Sequence, residues 1–204
     1  MVRLVSEGDP DVVALQEVPL WGLSRLAAWS SMRAFAAPTK RALLGPLAGA
    51  LQRLDPQRVR SPLTGQSNAL LVGSRLEASD ASIVPISRRG ERRVCQVLRL
   101  EAGGRTLLVA NLHATAQDEP AARAELVRVA VLVEGDQPCA VLGDMNVPGA
   151  GLPGFSAPLA GIDQILVRGL ELVEGPSPWP DGRRTADGRL LSDHAPVEAV
   201  VSWI

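Results

Sequence analysis

Several acidic, amide and histidine residues of this 204-residue chain lie where predicted strands begin or end. Glu17 closes the first predicted strand, and His113 closes a later one. Asp144 and Asn146 close a third, and side chains two positions apart on an extended chain point to the same side. Carboxylates and imidazoles can transfer protons, and carboxylate and amide oxygens suit Mg²⁺ or Mn²⁺ better than zinc or copper. The spacing therefore indicates acid–base chemistry, binding of a hard cation, or both.

Two more motifs extend this set. Asp163 opens a predicted strand, and Ser192-Asp193-His194 precedes the last one. An aspartate near an imidazole can orient the ring and stabilise its charged form, which makes the ring a better base. The chain contains two histidines and no tyrosine. Proton transfer near neutral pH must therefore use His113, His194, carboxylates with shifted pKa values or metal-bound water.

A single acidic residue at a strand end is commonly a turn former, but five motifs in this order resemble the endonuclease/exonuclease/phosphatase superfamily, the DNase I-like fold. The matching motifs are Leu15–Val18, Asn111–His113, Gly143–Asn146, Gly161–Leu166 and Ser192–Val197. The resemblance implies an α+β fold, a four-layer α/β/β/α sandwich of two mixed sheets with helices outside. It also implies Mg²⁺- or Mn²⁺-dependent hydrolysis of a phosphodiester or phosphomonoester by in-line attack of an activated water.

The resemblance also implies roles for residues around the metal and the water. Glu17 would be a ligand of the divalent cation, and Asp193 would add a carboxylate near it. Asp144 would orient or deprotonate the attacking water, while Asn146 would hold a phosphate oxygen.

Further roles concern the phosphate and the rest of the substrate. By the resemblance, His194 paired with Asp163 would contact the scissile phosphate, either as general base or as transition-state stabiliser. His113 would act as an acid or a phosphate ligand, and Asn68 would contact the substrate from a strand bordering the site.

Two groups of arginines stand outside these motifs. Arg183 and Arg184 lie in a loop shortly before Ser192, and because guanidinium forks bind phosphate well, we predict that they contact the substrate. The run Arg88–Arg93 is interpreted as solvated loop charge.

The composition excludes several other classes of protein. No apolar run approaches the roughly 18–20 residues that span a bilayer, and Met1–Gly8 lacks the apolar core of a signal peptide. We therefore predict a cytoplasmic monomer with no membrane span. A net charge of −1 does not favour a general nucleic-acid binder, so the expected partner is a phosphoester substrate, possibly a nucleotide or nucleic acid. Cys95 and Cys139 lie in apolar stretches, which indicates buried, reduced thiols.

Short β-branched runs bounded by glycine, proline and polar clusters must position these residues. The predicted strands are Asp11–Glu17, Asn68–Val72, Ala81–Pro85, Arg93–Glu101, Thr106–Leu112, Cys139–Gly143, Gln164–Val167, Leu170–Glu174 and Pro196–Val201. Apolar periodicity predicts helices at Trp21–Ala36 and Asp118–Glu134, with a weaker one around Leu44–Leu54. The run Arg93–Leu112 is predicted to be a hairpin turning at Gly103-Gly104.

The start of the chain predicts the last turns of a helix, Met1–Glu7, which end at Gly8 and lead into a strand. Members of the superfamily begin with a strand that ends in a metal-binding asparagine. We therefore interpret residues 1–204 as a single domain of this type that is incomplete at its N-terminus. If the native chain begins at Met1, we expect the sheet and the metal site to be weakened.

Two alternative functions remain open from the sequence. Gly65-Gln66-Ser67-Asn68-Ala69 is close to the G-x-S-x-G elbow of serine hydrolases, which would make Ser67 a nucleophile. That elbow requires a preceding strand and a following helix, whereas here a strand-like run follows. A chain without its first strand could also be an inactive remnant that binds a phosphorylated partner.

Overall fold

The computed structural model describes residues 1–40 and 65–204. The helix predicted around Leu44–Leu54 lies outside these described residues. The described helices are α1 (Val2–Val5), α2 (Leu26–Ser30) and α3 (Glu119–Leu132), with 3₁₀ turns at Leu20–Arg25 and Asp181–Arg184. The strands are β1 (Val12–Pro19), β2 (Arg33–Lys40), β3 (Gln66–Val72), β4 (Glu77–Pro85), β5 (Val94–Ala102), β6 (Arg105–His113), β7 (Cys139–Asp144), β8 (Asp163–Arg168), β9 (Leu170–Pro178), β10 (Thr185–Ala186), β11 (Arg189–Leu190) and β12 (Val197–Trp203). None of the described helices is long and apolar enough to cross a membrane.

Strands β4 to β8 form a five-stranded mixed sheet in the order β4-β5-β6-β7-β8. Strands β6 and β7 are parallel, and the other neighbours are antiparallel. A parallel pair needs a long crossover connection, and α3 supplies it. Asp118 caps this helix by accepting a hydrogen bond from the N–H of Ala121. Leu126 and Val129 of α3 join the apolar cluster on the outer face of the sheet.

A second layer packs on the other face of this sheet. Strands β1, β3 and β2 form an antiparallel sheet with β3 in the centre, and β9 pairs with β12. Leu70 and Val72 of β3 pack against Leu98 and Val109 of the five-stranded sheet. Every residue of β3 is buried, because the strand is covered on both faces.

The helical turns near the N-terminus cover the outer face of the β2-β3-β1 sheet. Leu26 and Met32 pack there with Ala69 and Leu71 of β3. The described elements therefore stack as helix, sheet, sheet and helix, and the predicted four-layer α+β sandwich is confirmed.

The second layer differs in detail from the two mixed sheets that were predicted. Among the described residues, β1 pairs only with β3 and β12 pairs only with β9, so this layer consists of two antiparallel sheets. Strand β1 contacts β7, and β12 contacts β8. Because β7 and β8 are neighbours, the two unpaired edges lie over adjacent strands of the sheet beneath.

The helix predicted over Trp21–Ala36 is wrong in its second half. Helical structure ends at Ser30, and Ser31 takes a left-handed conformation with φ of 59°. Strand β2 follows and pairs with β3 from Arg33 to Lys40. The alanines around Phe35 suit a helix by propensity, but pairing with a strand distant in sequence overrides that preference.

Candidate active site

Three neighbouring strands bring three predicted site residues into one row. His113 at the end of β6 pairs in register with Asp144 of β7, and Asp144 pairs with Asp163 of β8. Directly paired side chains lie on the same face of a sheet, with Cβ atoms about 4.5–5.5 Å apart. His113 Nε2 lies 3.5 Å from Asp144 Oδ2. The register of the sheet thus places His113, Asp144 and Asp163 side by side, although they lie at separate strand ends in the sequence.

Gly143 allows β7 to run close to β6 immediately before Asp144. Its φ is 138°, and a Cβ atom at this position would lie 2.0 Å from the carbonyl oxygen of Leu112. Any side chain here would push the two strands apart. The close approach of β7 to β6 therefore requires glycine at position 143, directly before Asp144.

Asp144 combines deep burial with several charged neighbours. The residue is 6% exposed, and its Oδ1 accepts a hydrogen bond from the backbone N–H of Asn146 at 2.9 Å. Burial raises the pKa of Asp144 above its ordinary value, and the charges of Asp163 and Glu17 add to this, against the Asn146 hydrogen bond and His194. A carboxyl group with a raised pKa is a better proton acceptor near neutral pH.

Asn146 ties the end of β7 to the loop after β6. Its Nδ2 donates to the carbonyl oxygen of Ala114 at 2.9 Å, and the N–H of Ala114 donates to the carbonyl oxygen of Asp144 at 2.9 Å. One amide hydrogen of Asn146 is thus used within the protein. Among the described residues the other hydrogen makes no hydrogen bond, and the phosphate contact expected of Asn146 stays a prediction.

His113 is neutral in this environment. Burial lowers the pKa of its ring to about 4, the positive charges of Arg93 and His194 lower it as well, and Glu91 acts in the opposite direction. The ring is 7% exposed. His113 therefore brings no positive charge to the site at neutral pH.

His194 has the opposite electrostatic character. Its Nδ1 lies 2.9 and 3.1 Å from the two carboxylate oxygens of Asp163. Burial disfavours the charged ring, but the charge and hydrogen bond of Asp163 outweigh burial and raise the pKa of His194. The pair predicted from the sequence is thus in contact, and Asp163 favours the protonated form of this ring, whose side chain is 43% exposed.

Arg184 supports the loop that carries His194. Its guanidinium donates to the carbonyl oxygens of Ser192 at 2.6 Å and His194 at 3.3 Å, and it also binds the carboxylate of Asp181. The residue is 8% exposed. These contacts differ from the predicted substrate contact, because the donors of Arg184 are used to hold the loop.

Arg183, the other predicted clamp residue, lies on the surface of the same loop. Its Nη1 is 2.5 Å from Glu198 Oε1, and its guanidinium lies over the ring of Trp179 at 3.6 Å from the centroid. Trp179 is buried. Arg183 is therefore engaged with Glu198 of β12 and with the buried Trp179, and no contact among the described residues joins it to the Asp144 group.

Glu17 lies at an irregularity in β1. The pairing of β1 with β3 shifts register between Leu15 and Val18, and Glu17 has a φ of 57°. Bulges of this kind redirect a side chain and often occur beside active sites. Glu17 is exposed, and its charge contributes to the raised pKa of Asp144. The bulge therefore brings Glu17 near the row on the opposite sheet.

Asn68, predicted to contact the substrate, is almost fully buried between the sheets. It is 1% exposed, and its Nδ2 lies 3.4 Å from the carbonyl oxygen of Val94. Nearby, Gln16 Nε2 donates to Asn111 Oδ1 at 2.7 Å, and Asn111 Nδ2 donates to the carbonyl oxygens of Leu15 and Ala69. These amides connect the two layers beneath the site. Asn68 does the same, because its contact joins β3 to Val94 of β5.

The same end of the sandwich offers a set of donors for a metal ion. The ligand atoms of Asp144, Asp163 and His194 all lie within 4.8 Å of one another. Asp193 is exposed beside His194, and Glu17 approaches from β1. Four carboxylates thus lie around one imidazole, and oxygen donors are those that Mg²⁺ and Mn²⁺ prefer. The residues present therefore fit a hard divalent cation.

Ser67 does not lie on a nucleophile elbow. It is fully buried inside β3, and its Oγ donates to the carbonyl oxygen of Asn68 at 2.7 Å. A serine hydrolase needs this residue exposed on a strand-to-helix turn. The structure contradicts the serine hydrolase alternative for that reason.

The sequence does not identify two buried charged residues near the row. Arg93, placed by sequence in a solvated run, is 7% exposed, and its charge lowers the pKa of His113. Glu125 of α3 is 2% exposed and accepts hydrogen bonds from the N–H and hydroxyl of Thr115, two residues after His113. The only sequence signals are a charge beside a strand start and an acidic residue on the apolar side of a helix.

The four-layer sandwich, with acidic and histidine side chains at one end of its sheets, is the DNase I-like class of fold. The model of the family described as "Endonuclease/Exonuclease/phosphatase family" matches residues 1–194, and the chain belongs to this family. Membership supports a hydrolase that acts on phosphoesters.

Solved structures share the fold at low sequence identity. A functionally unknown conserved protein from Enterococcus faecalis V583 is 18% identical, with a TM-score of 0.77 over 100% of this chain and 89% of that chain. Truncated TDP2 from Caenorhabditis elegans is 16% identical, with a TM-score of 0.67 over 100% and 88%. A mannosyl-6-phosphatase from Bacteroides thetaiotaomicron is 15% identical, with a TM-score of 0.68 over 99% and 89%. No curated protein matches the sequence.

Proposed function

We propose that the chain is a divalent-metal-dependent phosphoesterase that hydrolyses a phosphodiester or phosphomonoester by in-line attack of water. The observation that carries the proposal is the row of His113, Asp144 and Asp163 on adjacent strands, with His194 held against Asp163. This arrangement puts a proton acceptor, a neutral hydrogen-bonding ring and a cation around one space. Family membership supports the same reaction class.

Each side chain of the row has a role that follows from its charge. Asp144, whose pKa is raised, accepts a proton from the attacking water. His194, which Asp163 keeps charged, stabilises the negative charge on the phosphate oxygens as the transition state forms. His113 and the free amide hydrogen of Asn146 donate hydrogen bonds to the same group, so the phosphate is held in line with the water.

The proposed cation would be held by carboxylates. Glu17 and Asp193 are its predicted ligands, while Asp144, Asp163 and His194, whose ligand atoms lie within 4.8 Å of one another beside it, would keep the proton-transfer and phosphate-binding roles given above. Such a cation polarises phosphate oxygens and favours ionisation of water. Among the solved structures that share the fold, one is named a mannosyl-6-phosphatase and another is named TDP2. The proposal leaves the substrate as a small phosphoester or a nucleotide.

The test is hydrolysis of bis(p-nitrophenyl) phosphate and p-nitrophenyl phosphate in Mg²⁺ or Mn²⁺, with and without EDTA. We expect metal-dependent release of p-nitrophenol that falls roughly 100-fold or more in Asp144→Ala and in His194→Ala. The matched control is Asp136→Ala, which removes an exposed carboxylate from the loop at the other end of β7. Equal activity in wild type and both site variants would refute the site, and phosphate binding without turnover would favour the inactive remnant.

A further inference from the structure

The basic run Arg88–Arg93 ends in a residue unlike the others. Arg88, Arg89 and Arg92 are exposed, whereas Arg93 is 7% exposed at the start of β5. A buried guanidinium is costly unless its donors are satisfied. The contacts of Arg93 therefore need an explanation.

Arg93 has fewer partners than its donors allow. Its Nη2 lies 2.9 Å from Glu91 Oε2, and its Nε is buried with no hydrogen-bond partner among the described residues. Glu91 is shared, because its other oxygen lies 3.1 Å from Lys40 Nζ. Two cations of the described part of the chain thus share one carboxylate. Counted over Lys40, Glu91 and Arg93 alone, the cluster has one more positive than negative charge.

This cluster lies beside the row of the candidate active site. Cys95 of β5 pairs with Leu112 of β6, so the start of β5 lies against the end of β6 at His113. Arg93 and Lys40, which share Glu91, therefore bring positive charge to this side of the row.

We propose that Arg93 binds an anionic oxygen of the substrate phosphate, on the side of the row opposite His194. This inference rests on the proposed function, because it takes a phosphate as the group bound in the site. It narrows the substrate class. A phosphomonoester dianion carries one more negative charge than a phosphodiester, and the surplus cation at Arg93 compensates that charge. The site therefore prefers monoesters.

The binding experiment uses inorganic phosphate as the probe and calorimetry on the full chain. We expect Arg93→Met to weaken phosphate binding roughly 10- to 100-fold, the loss of one charge-assisted hydrogen bond. The matched control is Arg89→Met, which removes the same charge from an exposed neighbour and should leave the affinity within about 2-fold. Unchanged affinity in a folded Arg93→Met variant would overturn the proposal.

A second variant keeps the proposal testable if Arg93→Met does not fold. Glu91→Gln removes the carboxylate that competes for Arg93 while the guanidinium stays in place. We expect phosphate to bind roughly 3-fold more tightly or better, because a negative charge beside the anion is lost. Weaker binding in Glu91→Gln would contradict a phosphate contact by Arg93.

Kinetics separate this inference from the proposed function. For wild type we expect a higher kcat/KM with p-nitrophenyl phosphate than with bis(p-nitrophenyl) phosphate. Arg93→Met should reduce kcat/KM for the monoester by a larger factor than kcat/KM for the diester. Equal losses for both substrates would overturn the monoester preference. If wild type hydrolyses neither substrate but phosphate binding still depends on Arg93, the proposed function fails and the anion site stands. If turnover depends on Asp144 but neither turnover nor phosphate binding depends on Arg93, the proposed function stands and the anion site at Arg93 fails.

Discussion

The Asp163–His194 contact determines how the candidate site is charged. Both carboxylate oxygens of Asp163 lie within 3.1 Å of Nδ1 of the ring, so the carboxylate fixes both its orientation and its proton. His113, on the other side of Asp144, is kept neutral by burial and by Arg93. The pKa values of the two histidines thus shift in opposite directions because their neighbours differ, which residue type alone cannot reveal.

Asp163→Asn tests the first of these roles. The amide keeps the shape of the carboxylate but not its charge, so His194 is less often charged when the phosphate is bound. We expect kcat to fall roughly 100-fold with a small change in KM, because the interaction matters most in the transition state. Asp136→Asn is the control for a change of one charge. A KM effect larger than the kcat effect would contradict a transition-state role.

The two thiols provide a pH-dependent prediction outside the site. Burial raises the pKa of Cys95 to about 12 and that of Cys139 to about 11. Because the thiolate is the reactive form, both residues stay protonated and unreactive at pH 8 in the folded chain. Mass spectrometry should find no iodoacetamide adduct on native protein and two after denaturation. Rapid labelling of native protein at pH 8 would show that one thiol is accessible.

At the scale of elements, strands with a strong local sequence signal could be predicted. Strands that form only by pairing with a distant part of the chain could not. Strands β6 and β7 appear as continuous apolar runs because both faces are covered, and α3 begins at its Asp118 cap. Strand β2 was missed, since its alanines take strand geometry only by pairing with β3. The burial of Arg93 was missed for the same kind of reason, because Glu91 and the end of β6 decide it together.

The link between α3 and the loop after β6 gives a prediction for one element. Glu125 accepts hydrogen bonds from the N–H of Thr115 at 2.8 Å and from its hydroxyl at 2.7 Å. His113 directly precedes this loop, and the loop carries the Ala114 carbonyl oxygen that accepts from Asn146. We therefore predict that Glu125 positions the row.

Glu125→Gln should lower kcat roughly 10-fold, because its amide presents a donor to a group that needs an acceptor, and the free energy of unfolding should fall by about 1–3 kcal/mol. Thr115→Ser keeps both donors and should retain wild-type kcat, whereas Thr115→Val should resemble Glu125→Gln. Loss of stability with unchanged kcat in Thr115→Val would show that the link is structural only. Urea denaturation and steady-state kinetics measure the two quantities.

At the scale of the whole molecule, the site depends on two layers that are joined beneath it by amides. Glu17 comes from the second layer and the row comes from the first, so the packing of β1 on β7 sets the distance between them. The sequence predicts the order of motifs and the four layers. It does not predict how Asn111 and Gln16 connect the layers, because that contact joins residues 95 positions apart.

Among the described residues β1 and β12 each pair with one neighbour, and the strand edges that this leaves have a consequence for handling the protein in solution. Free strand edges can pair with strands of another molecule and so promote aggregation. The β9–β12 pair also exposes apolar surface, because Val173 is 55% exposed and Val200 is 50% exposed. We expect reversible self-association that grows with concentration in analytical ultracentrifugation. Val200→Lys should suppress it by placing a charge on the edge. Val127→Lys, which changes a 65% exposed valine on α3, should not. If both lysines act alike, net charge rather than strand pairing controls the solubility of this chain.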